Sequence, residues 1–414
     1  MTKTSPHQPY AVFRIPDFRL LIAMQAITSL ASQMQAVAVG WQIYERTGSA
    51  LSLAWIGLAQ IAPVLLLFLP AGQWVDRHDR RNLLSLSLAI SAAAAAALAY
   101  ASFAEASVGW IYLACAAGSA AQTLSRPARS AILPNIVPTA ALGNAVTWNS
   151  GTFQFAAIVG PAVAGLLIMA SGQALTVYEI NFALIMVALF LSSRIRPQPP
   201  SGSSERTLKH LFGGILHVWN TQVILAVISM DLLAVLFGGA TALLPVYAKD
   251  ILMVGPSGLG WLTAAPAVGA VAMALIMGHL PPSRNAGRTF LLAVAGFGAA
   301  TVIFGWSTNY WLSLTVLVAI GALDNISVIT RQTIVQVYTP DELRGRVSSV
   351  NNVFVSSSNE LGAFESGTVA ALTNPVFAVV SGGFATVLLV IVGAKVFPDL
   401  RKLRSLTERQ DSAR

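Results

Sequence analysis

Four carboxyl side chains lie well inside long apolar stretches of the sequence: Asp231, Asp324, Glu360 and Glu365. A carboxylate at the centre of a membrane-spanning helix costs about 2.5–3.5 kcal/mol on insertion scales, so it indicates a function. We expect no lysine or arginine at comparable depth in the same half of the chain, and an unpaired buried carboxyl group favours its protonated form. The four residues are therefore candidates for proton coupling. The competing interpretation is hydrogen bonding to neighbouring amides or to the backbone.

The first half of the chain has no such acid and carries neutral polar side chains instead. In a membrane protein these groups either line a cavity or hydrogen bond to neighbouring helices. The candidates for a substrate cavity in this half are Gln25, Gln33, Gln60, Gln122, Trp148, Asn149 and Gln154, and Asn325 is a further candidate in the second half.

These residues must be positioned by helices that lie in lipid. Of the 414 residues, 55% are hydrophobic and 10% are charged, whereas soluble domains carry about 25% charged residues. A helix needs about 20 predominantly apolar residues to cross a bilayer. We therefore predict an all-α polytopic membrane protein with twelve transmembrane helices, at residues 19–44, 50–74, 83–104, 108–128, 143–170, 174–193, 221–247, 257–279, 289–306, 309–331, 344–371 and 376–397.

The basic residues fall mostly on one side of this predicted arrangement. Arg46 and Lys249 lie in loops that we place outside, and the other loops hold the clusters Arg77/Arg80/Arg81, Arg126/Arg129, Arg194/Arg196/Arg206/Lys209, Arg284/Arg288, Arg331/Arg344/Arg346 and Arg401/Lys402/Arg404. Cytoplasmic loops carry an excess of lysine and arginine. We predict that both termini are cytoplasmic, and that the net charge of +8 reflects the membrane rather than a nucleic-acid partner.

The sequence predicts neither a metal site nor a cofactor. It has one cysteine, Cys115, and its five histidines are widely scattered without the spacing of zinc ligands. It also lacks an H-E-x-x-H motif, a serine nucleophile elbow and a P-loop. An enzyme is therefore not expected, nor is transport powered by ATP bound to this chain.

One polar connection divides the chain. Residues 194–220 contain several prolines and a Ser-Gly-Ser-Ser run, followed by apolar residues at helical spacing. We predict an N-terminal six-helix bundle at 1–193, a cytoplasmic linker with an amphipathic helix at 194–220, a C-terminal six-helix bundle at 221–397 and a cytoplasmic tail at 398–414.

The two halves repeat each other. The stretch from Ala128 to Pro138 matches that from Thr330 to Pro340 at a constant offset of 202, and Tyr44 and Pro63 match Tyr247 and Pro266 at an offset of 203. Parallel repeats of this kind imply two bundles related by an axis along the membrane normal, with a substrate site between them.

The loop between helices 2 and 3 contains the segment from Gly72 to Arg81, Gly-Gln-Trp-Val-Asp-Arg-His-Asp-Arg-Arg. This segment resembles the cytoplasmic loop signature of the major facilitator superfamily, and with the repeat the resemblance covers essentially the whole chain. Asp79 stands where the family usually has glycine.

The resemblance implies that this loop fastens the two halves together on the inner side. The residues of this conformational latch are Gly72, Asp76, Arg77, Arg80, Arg81 and Arg129. We expect Asp76 near the start of helix 11, where the segment from Thr339 to Glu342 has the form of a capping box.

Helix 5 contains Gly160, Pro161 and Gly165, which resemble the glycine-proline motif of proton-linked exporters in the superfamily. Ordinary packing of small residues between helices is the competing interpretation. The sequence is most similar to the drug and siderophore exporter branch that includes the enterobactin exporter, chiefly over residues 17–81.

We therefore expect a secondary active transporter of the bacterial inner membrane. The favoured activity is proton-coupled export of a small amphipathic organic compound by a monomer, using alternating access. The alternatives are a proton-coupled importer of the same fold and a membrane solute sensor.

Overall fold

The computed structural model describes residues 10–197, 208–279 and 285–403. Within these ranges the regular secondary structure is helical, without strands. Twelve long helices stand at the twelve predicted positions: α1 Pro16–Thr47, α2 Ala50–Arg77, α3 Arg80–Phe103, α4 Val108–Ile136, α5 Leu142–Ser171, α6 Leu175–Arg194, α7 Gln222–Ile251, α8 Gly255–His279, α9 Ala286–Trp306, α10 Tyr310–Tyr338, α11 Arg344–Leu372 and α12 Pro375–Val396. Of these, α7 is irregular: its first α-helical part ends at Phe237, and the chain continues through the 3-10 turn Ala240–Leu243 to the π-helical turn Tyr247–Ile251.

Ten of these helices, counted over the described residues, are long and apolar enough to cross a membrane. The other two, α4 and α11, contain more polar residues. In α11 these include Asn351 and the run from Ser356 to Glu360. The predicted all-α membrane fold is confirmed.

The repeat of the sequence is also a repeat of helix ends. Both ends of α4 recur in α10 at the offset of 202 residues, and the short 3-10 turns Thr139–Ala141 and Asp341–Leu343 that follow them differ by the same number. The capping box expected at the second turn is not formed. Among the residues that the structure describes, that turn has no side-chain cap hydrogen bond and the buried Thr339 hydroxyl has no hydrogen-bond partner. Helix α11 begins at Arg344.

Part of the predicted linker, residues 198–207, and most of the predicted tail, residues 404–414, lie outside the described ranges. A helix runs from Leu208 to Asn220. Two glycines let it approach α11, because a Cβ atom at Gly214 would stand 3.0 Å from the backbone carbonyl of Arg346. On this helix Ile215, Leu216 and Trp219 are exposed, as expected for a helix lying on a membrane surface.

The helices form two compact units. The first unit consists of Met1–Ala36, Pro63–Gly160 and Ala174–Glu205, and in it α3 packs against α4 and α6. The second consists of Val37–Ala62, Pro161–Gln173 and Arg206–Arg414, and in it α9 packs against α10 and α12 while α11 packs against α7. The predicted division into two six-helix bundles at residues 193 and 221 remains a prediction.

Within the second unit, helices of the first half of the chain pack directly on helices of the second half. A Cβ atom at Gly57 of α2 would stand 2.5 Å from the backbone oxygen of Glu360 in α11. Likewise a Cβ atom at Gly165 of α5 would stand 3.0 Å from the Cα atom of Gly260 in α8. Glycine at these positions permits close contact between backbones, which is a common way for helices to associate in membranes.

The position of α10 is set by its contact with α8. A Cβ atom at Gly269 would overlap the backbone oxygen of Val318, and one at Gly321 would overlap that of Pro266. This contact holds the helix that carries Asp324 and Arg331.

Candidate functional site

The most deeply buried charges in the described residues form an ion pair between α7 and α10. The Arg331 Nε atom lies 3.3 Å from Asp231 Oδ1, and the two side chains are 3% and 7% exposed. The expectation that the carboxylates of this half lack a basic partner is therefore wrong. Arg331 lies seven residues before the end of α10, about 10 Å along the helix, and its side chain is buried in the protein.

A third helix completes the binding of this arginine. The Arg331 guanidinium donates a hydrogen bond to the Asn351 side-chain oxygen of α11. The ion pair and this bond together join α7, α10 and α11. Asn351 was not singled out in the sequence, because a single amide in a polar helix carries no distinguishing pattern.

Asp324 lies on the same face of α10 as Arg331, two turns earlier. It lines a small cavity of about 10 Å³ together with Asp231, Ala234, Val235, Val294, Phe297 and Ser327. Such a volume is at the lower limit for one water molecule. Asp324 also interacts electrostatically with both Asp231 and Arg331. The structure thus brings two of the four predicted carboxyl groups together.

The charges of this cluster balance when it holds one proton. Two ionised carboxylates and one guanidinium would leave a net negative charge in a buried site, which is costly without compensation. With one carboxyl group protonated, the cluster of Asp231, Asp324 and Arg331 is neutral. We call these three residues the acid-arginine cluster.

The other two candidate acids lie elsewhere on α11. Glu365 is half-buried and accepts a hydrogen bond of 3.2 Å from the Ser366 hydroxyl. Glu360 is half-buried at the contact with Gly57. Neither is among the described residues that line the cavity.

In the first unit, α1 and α4 are joined by polar side chains. The Arg129 guanidinium donates hydrogen bonds to the Gln25 side-chain oxygen and to the Thr28 hydroxyl. One turn and two turns earlier on α4, Arg126 donates to Gln122 at 3.3 Å, and Gln122 donates to the Ser32 hydroxyl at 3.0 Å. We call this set, Gln25, Thr28, Ser32, Gln122, Arg126 and Arg129, the α1–α4 polar seam.

The remaining cavity candidates have varied surroundings. Trp148 packs edge-on against Phe13 with ring centroids 4.9 Å apart, and the Cβ atom of Gln33 lies against Gly160. The Asn325 side-chain oxygen is buried without a hydrogen-bond partner in the described residues. Three further candidates are half-buried on their helices: Gln60, Asn149 and Gln154.

The loop between α2 and α3 is held to the first unit by its arginines. Arg80 donates to the backbone oxygen of Ala131 at 3.1 Å, and Arg81 donates to that of Ser193 at 2.8 Å. Asp79 accepts from the backbone N–H groups of Arg81 and Asn82 and so caps α3. Because its φ is −59°, this position does not need the usual glycine of the family.

The remaining latch residues surround this turn. Asp76 is half-buried, and one of its carboxylate oxygens is fully buried. Gly72 is half-buried, while Arg77 is exposed at the end of α2. Whether these residues act as a latch remains a prediction.

The glycine-proline motif of α5 lies in two packing contacts. A Cβ atom at Gly160 would stand 2.6 Å from the Cβ atom of Gln33 in α1, and Gly165 faces Gly260 in α8. Pro161 lies inside the continuous helix, with its carbonyl oxygen against Gly260. These contacts show the close packing that the motif permits.

A family model described as "Transmembrane secretion effector" matches residues 7–412. The chain belongs to this family. It is accordingly a multi-pass membrane transporter of the major facilitator type and not an enzyme.

Individual relatives agree with this assignment. The enterobactin exporter EntS of Shigella boydii serotype 18 is 25% identical over 396 residues, which cover 94% of each chain, and that of Escherichia coli O139:H28 is equally similar.

Solved structures share the fold at lower identity. A bacterial homologue of the human lysosomal transporter Spinster, in an inward-facing unoccupied conformation, is 16% identical with a TM-score of 0.70 over 93% of this chain and 98% of that one. The nucleoside transporter NupG is 13% identical with a TM-score of 0.70 over 92% and 99%.

Proposed function

We propose that this protein is a proton-coupled exporter of a small amphipathic organic compound. The observation that carries the proposal is the acid-arginine cluster, in which two carboxyl groups line a water-sized cavity and one of them, Asp231, is paired with the guanidinium of Arg331. The relatives named as exporters and the glycine-proline motif of α5 support the direction of transport.

The cluster suits proton coupling because its charge is balanced by one proton. Asp231 is held as a carboxylate by Arg331, and Asp324 is the group that gains or loses the proton. Loss of this proton leaves a net charge among buried groups, so the deprotonated cluster favours a conformation in which it is hydrated. Access to the two sides of the membrane is thereby linked to protonation.

The cycle also requires contacts that form and break. The glycine contacts between α2 and α11 and between α5 and α8 join helices from the two halves of the repeat. In alternating access such contacts separate when substrate is released on their side of the membrane. The latch residues, Gly72, Asp76, Arg77, Arg80, Arg81 and Arg129, fasten the inner side in the opposite state.

The same proposal includes the location, the oligomeric state and the partners of the protein. It acts in the bacterial inner membrane with both termini in the cytoplasm, functions as a monomer, and exchanges protons for substrate without a nucleic-acid partner. The alternatives are a proton-coupled importer and a solute sensor. An importer differs from an exporter in the direction of solute flux, and a sensor differs in showing no counterflow of a solute.

Transport into membrane vesicles tests the proposal. Inverted vesicles with an acidic lumen should accumulate at least one member of a panel of anionic, neutral and cationic amphipathic dyes, and right-side-out vesicles should not. Asp324→Asn should reduce gradient-driven accumulation at least about tenfold, because the exchangeable proton is lost. Glu179→Gln, which changes an exposed carboxylate, is the matched control.

Three results would contradict the proposal. Accumulation in right-side-out vesicles would indicate an importer. Dye binding without counterflow in liposomes would indicate a sensor. Full gradient-driven transport by both Asp324→Asn and Asp231→Asn would remove the proposed coupling site.

A further inference from the structure

We propose that the α1–α4 polar seam binds the oxyanion group of the transported compound, such as a carboxylate, sulfonate or phosphate. This inference rests on the proposed function and narrows the class of substrate.

The first argument is charge. In the part of the chain that the structure describes, the hydrogen-bond partners of Arg129 are neutral, the Gln25 oxygen and the Thr28 hydroxyl. Arg126 adds a second positive charge beside it. A guanidinium has five N–H donors, so these two acceptors leave others free for an anion.

The second argument comes from the repeat. Arg129 and Arg331 are equivalent at the offset of 202 residues, and Thr28 and Asp231 are equivalent at the offset of 203. In the second half the arginine meets a carboxylate at 3.3 Å. In the first half the same place holds a threonine hydroxyl. Among the described residues, the fold therefore holds an internal anion at Arg331 and none at the equivalent Arg129.

The third argument is the arrangement of the polar groups. On α1 residues 25, 28 and 32 recur at helical spacing, as do residues 122, 126 and 129 on α4, so each helix presents one polar stripe. The stripes meet through the bonds from Arg129 to Gln25 and from Gln122 to Ser32. Gln25 also donates to Ser29 at 3.0 Å, which turns its oxygen toward Arg129.

The two arginines are placed to share one ligand. Arg126 and Arg129 are three residues apart and so lie on the same side of α4. Arg126 is exposed, whereas Gln25 is buried. The seam thus runs from the accessible guanidinium of Arg126 to the half-buried guanidinium of Arg129. Arginine binds oxyanions through paired N–H donors.

Equilibrium binding to the purified protein tests this inference. The probes are naphthalene-2-sulfonate and neutral naphthalene-2-sulfonamide, which share a ring and differ in charge, measured by calorimetry in an uncharged detergent without a proton gradient. The wild-type protein should bind the sulfonate at least about tenfold more tightly than the sulfonamide, because hydrogen bonds to charged groups are the stronger ones.

Substitutions then locate the site. Arg129→Gln should weaken sulfonate binding about tenfold or more and leave sulfonamide binding within about twofold. Thr28→Asp should have the same effect, because it supplies the internal anion that Arg331 already has. Thr28→Asn changes the same position without adding a charge and should weaken sulfonate binding less than Thr28→Asp does. Arg288→Gln, which removes an exposed arginine at the start of α9, is the control and should leave binding of both probes unchanged. Arg126→Gln repeats the test at an exposed position.

Failure of this inference can be distinguished from failure of the proposed proton coupling. Asp324→Asn should still bind the sulfonate at least about tenfold more tightly than the sulfonamide, so a failure of proton coupling leaves this preference intact. Equal binding of the two probes, or sulfonate binding unchanged by both Arg129→Gln and Thr28→Asp, would overturn the inference. It would also be overturned if phosphatidylglycerol, added in mixed micelles, bound through Arg129 while the sulfonate did not, since the seam would then hold a lipid head group.

Discussion

Removing the charge of Asp231 should reveal how the acid-arginine cluster is balanced. Asp231→Asn keeps the size of the side chain and leaves Arg331 without its ion-pair partner. At a separation of 3.3 Å, two unit charges attract by about 5 kcal/mol at an effective dielectric constant of about 20. Loss of one partner of a buried pair typically costs about 3–5 kcal/mol.

The single substitution should cost less than that, because Asp324 can take over. Asp324 shares the cavity with Asp231 and interacts with Arg331, so as a carboxylate it becomes the new counter-charge. We expect a loss of about 1–2 kcal/mol for Asp231→Asn and less than about 1 kcal/mol for Asp324→Asn, with about 3–5 kcal/mol for the double variant.

The assay is the free energy of unfolding in mixed micelles, with Glu179→Gln as the control for loss of an exposed carboxylate. The double variant should lose more free energy of unfolding than the sum of the single variants. Strict additivity would refute the reasoning, since it would mean that Asp324 does not compensate Arg331. An Asp231→Asn variant as unstable as the double variant would refute it as well.

Three further predictions concern single contacts. Gly269→Ala should lower the free energy of unfolding by about 1–3 kcal/mol, because its Cβ atom would overlap the Val318 carbonyl. Gly278→Ala should be neutral, because its Cβ atom would meet no atom of the described residues within 4 Å. Tyr44→Phe should lower the free energy of unfolding by about 1.5–3 kcal/mol, because it removes the hydrogen bond that the phenol donates to Asp250. The control is Tyr100→Phe at an exposed position, and equal melting temperatures of the two variants would contradict the prediction. Asp79→Ala should cost about 0.5–2 kcal/mol through loss of the α3 cap, and Asp79→Asn should retain most of the stability; equal losses in both would show that the cap is unimportant.

The fold is predicted well from the sequence because the patterns that indicate it extend over many residues. Each membrane helix is an apolar run of about 20 residues, and the repeat of 202 residues fixes equivalent helices with equivalent ends. The hydrogen bonding that caps helix ends is less well predicted. The segment from Thr339 to Glu342 has the pattern of a capping box, yet the chain makes a 3-10 turn there, as it does at the equivalent place in the first half.

The candidate site was only partly accessible from the sequence. Asp231 and Asp324 stand out because acids are rare in apolar helices, but their partner Arg331 lies near a predicted helix end and was grouped with the inner-surface arginines. Its burial depends on how α7, α10 and α11 pack, which the pattern of one helix does not contain. The repeat offered a usable signal, since it pairs Arg331 with Arg129 and Asp231 with Thr28.

Proton movement during transport tests the central claim most directly. Inverted vesicles with an acidic lumen would contain a pH-sensitive dye and receive the amphipathic compound that gives the largest uptake. The lumen of vesicles with the wild-type protein should become more alkaline as the compound enters, and Asp324→Asn should abolish this change. An alkalinisation of equal rate with Asp324→Asn, or compound entry without any change in lumenal pH, would contradict the account.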